Sequence, residues 1–141
     1  MTQMAAYFSL LNKVSSPFTY MFLHGGFLHF IGNMWFLYIF GDNIEQNLGP
    51  FRFIAFYLAC GLIAAFFHFL LNHSSAVPTV GASGAVAGVM GAYFLLHPGN
   101  KILTLIPIFI FPLFVNIPAF VFLGLWFFIQ FIVFIRHFVF N

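Results

Sequence analysis

Ser83 stands in GASG, residues 81–84, at the entrance to a run of small and apolar residues. The first backbone N–H groups of a helix beginning there have no intrahelical acceptor and can donate to a developing oxyanion. A second group of polar residues lies in HGGFLHFIGN, residues 24–33, which holds His24, His29 and Asn33. On a helix, at about 100° per residue, His29 and Asn33 are four apart and share a face, whereas His24 and His29 diverge by about 140°. That divergence suits two imidazoles on one metal ion poorly, and the run carries no acid, so no metal site is expected. Two readings stay open for these side chains. They can hydrogen-bond across neighbouring helices with no chemical role, or they can belong to an acyl-transfer site, which needs a nucleophile, a base, oxyanion donors and water. Ser83 taken alone also reads as one more small packing residue. GASG is not the G-x-S-x-G elbow of soluble hydrolases, which requires a preceding strand.

The elements that must position these residues are set by composition. Of 141 residues, 63% are hydrophobic and 4% charged, against about a quarter charged in a soluble domain. So few charges cannot solvate a packed globule, and the chain reads as an integral membrane protein. Four isolated Lys and Arg residues offer no cluster for phosphate, which excludes nucleic acid as a partner. Cys60 is the single cysteine, so an intrachain disulfide and a cysteine-rich metal site are excluded. The N-terminal residues lack the charged start and cleavage pattern of a secretory signal and are expected to be mature chain.

A single domain over 1–141 is expected, with spans at about 20–40, 53–71, 80–96 and 117–135. Residues 41–52, GDNIEQNLGPFR, hold both acids, two glycines and a proline and read as a loop; residues 72–79 and 97–101 read as a loop and a turn. Residues 102–135 are uncharged, too many for one span of a core about 30 Å thick. Pro107, Pro112 and Pro118 interrupt them, so about 102–116 reads as a re-entrant or interfacial segment. Arg52 and Lys101 fall on one side and Lys13 and Arg136 on the other, so charge does not set the orientation. The crossings put the end with His24 and His29 on the same side as Ser83. Asp42 and Glu45 fall on the opposite side as solvated charges. Gly84, Gly88 and Ala92 form a side-chain-poor stripe that calls for a partner helix or a second copy.

Taken together, HGGFLHFIGN (24–33), FGDNIEQNLG (40–49), GASGA (81–85) and GLWFFIQF (124–131) resemble the rhomboid intramembrane serine proteases, over about residues 18–130. The resemblance implies an all-α polytopic membrane fold, with about four of six core helices present. It also implies cleavage of membrane-protein substrates within their transmembrane segments in the lipid bilayer by a Ser–His dyad without cofactor or metal. Carried over, Ser83 is the nucleophile and Gly81 shapes the loop before it. His29 and Asn33 help hold the oxyanion with the backbone N–H of Ser83, and His24 supports the hydrogen-bond network. The Ser83 side then faces the extracytoplasmic space. Two departures accompany the match: the family's first helix and its last, which bears the base in an Ala-His-x-x-Gly setting, are expected to be absent from this stretch. His137 is the candidate substitute base because the fourth span returns to the Ser83 side, though HFVFN lacks the family's glycines. His97 lies about 21 Å along the helix from Ser83, and His68 and His73 match no family position. The alternative is a catalytically inactive relative that binds transmembrane helices without cleaving them.

Overall fold

The computed structural model describes residues 26–71, 82–108 and 111–140. Four helices, α1 (Phe27–Leu48), α2 (Pro50–Leu71), α3 (Ser83–Leu96) and α4 (Ala119–Phe140), make up most of it. Strands β1 (Lys101–Ile108) and β2 (Phe111–Pro118) lie between α3 and α4. The chain divides into two compact units, one ending at Val89 and one beginning at Met90.

In the first unit the stretch expected as a loop, residues 41–52, is helical except at one residue. Its polar residues mark the solvated face of a helix end. Phe40, Gly41 and Ile44 are buried on one side of α1, while Asp42, Glu45, Gln46 and Asn47 are exposed. Gln46 Nε2 donates to Asp42 Oδ2 at 2.9 Å and Asn47 Nδ2 to the Asn43 carbonyl at 2.8 Å, so these side chains support the helix they seemed to interrupt. The reversal is made by Gly49 alone, at φ 80° and ψ 158°, a region open essentially to glycine. Its N–H donates to the Glu45 carbonyl at 2.7 Å, and its carbonyl accepts from the Phe53 N–H at 2.9 Å. Gly49 therefore closes α1 and opens α2, with Pro50 at the first helical position, where its missing N–H costs nothing. Gly49→Ala is expected to lower stability by about 1–3 kcal/mol, read as an earlier midpoint in denaturing-detergent titration.

Helices α2 and α3 meet through small residues. A Cβ on Gly84 would overlap the Cβ of Ala64, and one on Gly88 would lie 2.5 Å from Sγ and 2.6 Å from Cβ of Cys60. Two pairs spaced four residues apart, in opposite order, make an antiparallel close approach of backbones. The Gly84–Gly88 part of the stripe, expected to await a partner helix, is thus occupied by α2. The sequence signal was Cys60 and Ala64, four apart in a Phe-rich run.

In the second unit a Cβ on Gly91 would lie 3.9 Å from Phe127 and one on Gly124 3.8 Å from Phe94, so α3 and α4 pack there around Met90, Tyr93 and Leu123, all buried. The turn between α3 and β1 caps α4: Ala119 N–H donates to the Asn100 carbonyl at 2.7 Å and Phe120 N–H to that of Pro98 at 3.2 Å, satisfying amides a helix start leaves orphaned. Asn100 Nδ2 also donates to Tyr93 Oη at 3.2 Å. The segment read as re-entrant or interfacial is an antiparallel hairpin in which Lys101 pairs with Pro118 and Ile108 with Phe111. Pro118 ends β2, and α4 begins at Ala119 instead of residue 117.

Residues 50–68 of α2 and 119–136 of α4 are long and apolar enough to cross a membrane, with 6% and 11% of those windows buried. The core helix of a soluble protein would be mostly buried. Here Phe51, Ile63 and Phe66 on α2 and Leu125, Phe128 and Phe131 on α4 are exposed, as lipid-facing residues are.

Candidate functional site

Ser83 is the first residue of α3 and is exposed. The Val86 N–H donates to the Ala82 carbonyl at 2.9 Å, closing the first helical turn. The amides of Ser83, Gly84 and Ala85 precede that bond and have no acceptor within the helix. The positive end of the helix dipole therefore opens beside the Ser83 hydroxyl. Ala82, Ala85 and Val86 are buried, which anchors this exposed end in packed structure.

Asn33 lies inside α1, 6% exposed, and its Nδ2 has no hydrogen-bond partner among the described residues. A buried amide donor without an acceptor is costly, so its retention needs a reason. His29, one turn earlier, is exposed in the first turn of α1. Measured from Gly49, Asn33 stands 16 residues back along α1 and Ala64 15 residues forward along α2, about 24 and 22 Å at the α-helical rise. Ala64 in turn faces Gly84, the neighbour of Ser83. The antiparallel run of the helices thus brings Asn33 and Ser83 to one depth, with His29 about 6 Å beyond Asn33.

Not all of the other expected residues fall within the described part of the chain. His24, Gly81 and His73 lie outside the described residues. His137 occupies a helical position on α4, its side chain likewise outside them. His68 is exposed in the last turn of α2. His97 follows the far end of α3, its ring centred 5.0 Å from that of Tyr93. Asp42 and Glu45 lie near the opposite end of α1, helical instead of in a loop. Sequence reasoning missed Ala64 and Cys60, which set how α3 seats and hence where Ser83 stands.

The Rhomboid domain profile matches residues 11–139. RHOMBOID-like protein 5 of Arabidopsis thaliana is 40% identical over 72 residues, 51% of this chain and 23% of that protein. Presenilin-associated rhomboid-like protein, mitochondrial, of Mus musculus is 32% identical over 93 residues, 64% of this chain and 25% of that protein. The chain thus spans about a quarter of the length of these relatives. No solved structure gives a significant match. With a mostly helical fold, two lipid-exposed helices of spanning length and a family match over nearly all its residues, the chain is an integral membrane protein and belongs to the rhomboid family.

Proposed function

We propose that this chain carries the nucleophile and oxyanion donors of an intramembrane serine endopeptidase. The observation that carries the reading is the buried Nδ2 of Asn33, without a hydrogen-bond partner among the described residues, at the depth of an exposed Ser83 on the first turn of α3. A buried N–H with no acceptor among the described residues can donate to an oxyanion that forms during reaction.

In this reaction Ser83 Oγ attacks the carbonyl carbon of a peptide bond in an unwound membrane segment. The hydroxyl proton passes to a histidine base, with His137 as the candidate within this chain. The carbonyl oxygen gains the electron pair and is held by the Ser83 amide, Asn33 Nδ2 and His29. Collapse of the tetrahedral species breaks the C–N bond, the proton goes to the leaving amine, and an acyl ester remains on Ser83. Water then attacks the ester, releases the acid and restores the hydroxyl. His24 and Gly81 keep supporting roles, in the hydrogen-bond network and in the loop before Ser83. The site faces the extracytoplasmic side, and the substrates are membrane proteins.

The test is a serine-directed fluorophosphonate on the protein in membranes, followed by peptide mapping. Covalent mass on the peptide containing Ser83, blocked by prior denaturation, supports the reading; labelling confined to other serines removes it. A protein that retains reporter helices yet takes no label would be the inactive, helix-binding relative. A further expected result is that Asn33→Ala slows cleavage of a membrane reporter about 10²–10³-fold, the cost of one oxyanion donor, with KM little changed. Equal losses on Asn33→Ala and in unfolding midpoint would instead assign Asn33 to packing.

A further inference from the structure

We propose that the tip of the β1–β2 hairpin inserts among the acyl chains of the leaflet at the end of the bundle where α3 stops and α4 starts. In a strand pair directly opposed residues share a face. Leu105 and Phe114 oppose each other, as do Ile106 and Leu113 on the other face. Their exposures are 53%, 61%, 38% and 46%, and Phe111 beside the turn is 74% exposed. The distal half of the hairpin therefore has an apolar surface on both sides and no side made for water. The root differs. Ile102 is buried there, while Lys101 and Asn116 are exposed, and no acid occurs anywhere from residue 97 to the end.

An open sheet edge is excluded from hydrocarbon because its outward N–H groups find no acceptor. This hairpin reduces that difficulty where it matters. Pro107 opposes Pro112 near the tip, and proline is accommodated in a ladder only where its nitrogen points away from the partner strand. Both outward donor positions of that pair thus carry no N–H at all. The next outward amides, those of Leu105 and Phe114, lie two residues nearer the root and those of Leu103 and Asn116 two further, towards Lys101, whose ammonium reaches headgroup phosphate while its stem stays apolar.

The occupant follows from continuity. Leu95 and Leu96 at the end of α3, and Phe120 and Val121 at the start of α4, are exposed and adjoin the hairpin root. Exposed apolar residues of both helices thus flank the root, and beyond exposed Lys101 and Asn116 the apolar surface resumes on the distal half of the hairpin. Two strands by themselves are marginal in water, and lipid supplies the cover that no third layer among the described residues of this unit provides.

The test uses the full chain in phosphatidylcholine vesicles, with an environment-sensitive fluorophore on Phe111→Cys in a Cys60→Ala background and, for comparison, on Lys101→Cys. The expected result is quenching of the residue 111 label by lipids brominated high on the acyl chain, with iodide quenching severalfold weaker than at residue 101. Iodide quenching equal at the two positions overturns the proposal. So does shielding of residue 111 from both quenchers, which would mean that protein covers the tip. Leu105→Cys, on the opposite face, must give the same pattern as Phe111→Cys, and a water-exposed label there also overturns it.

Discussion

Ser83→Ala is expected to abolish cleavage of a membrane-segment reporter, by about 10⁴-fold or more, the usual loss when a nucleophile is deleted from a unit that acts together. The same change is expected to leave the fold in place. Ser83 is exposed on the first turn of α3, and alanine is at least as good a helix former, so the unfolding midpoint stays where it was. A reporter whose transmembrane segment holds helix-breaking residues reads the first effect, and its retention on the purified protein reads binding. Loss of cleavage with retention of the reporter is the expected pair. Cleavage that survives Ser83→Ala sinks the assignment of the nucleophile. A native protein that binds the reporter and never cleaves it, with or without Ser83, is the helix-binding relative instead.

Gly84→Ala is the second large effect, and it acts through packing. The added methyl would overlap the Cβ of Ala64. Both groups are fixed directly to helix backbone, so no side-chain rotation relieves the overlap, and α2 and α3 must separate. Overpacking of this kind costs about 1–3 kcal/mol. Ser83 is the next residue, so the separation also moves the nucleophile, and a misplacement near 1 Å is enough for about a 10²-fold loss in rate. Ala64→Gly in the Gly84→Ala background should restore both the unfolding midpoint and cleavage, because it removes the methyl that α3 collides with. The cycle of single and double variants should show a coupling of about 0.5–3 kcal/mol. Additive effects would mean that the two helices do not meet at these residues.

Legibility differed from element to element for physical reasons. Helices α2 and α4 could be read because lipid leaves a long uncharged run few alternatives to a spanning helix. Helix α1 runs eight residues past the boundary its composition suggests, from Phe40 to Leu48. Polar composition there reads as a break, whereas Asp42, Glu45, Gln46 and Asn47 alternate with buried Phe40, Gly41 and Ile44 at helical spacing. The hairpin could not be foreseen as strand. Its residues carry no alternation of polar and apolar types, since neither face of the tip is polar.

The sequence by itself determined the solvent, the family and the pair of segments that hold Ser83, His29 and Asn33, because residue type alone decides what lipid tolerates and which motif is present. Only the tertiary structure decided that a single glycine reverses the chain between α1 and α2, that Ala64 and Cys60 fill the Gly84–Gly88 part of the stripe of α3, and that Asn33 is buried with its Nδ2 unpartnered among the described residues. The last two are properties of residues far apart in the chain, and the first depends on which helices the turn must join. A small residue looks the same in sequence whether it awaits a neighbour or already touches one, and burial of a polar atom exists only once the helices around it have closed.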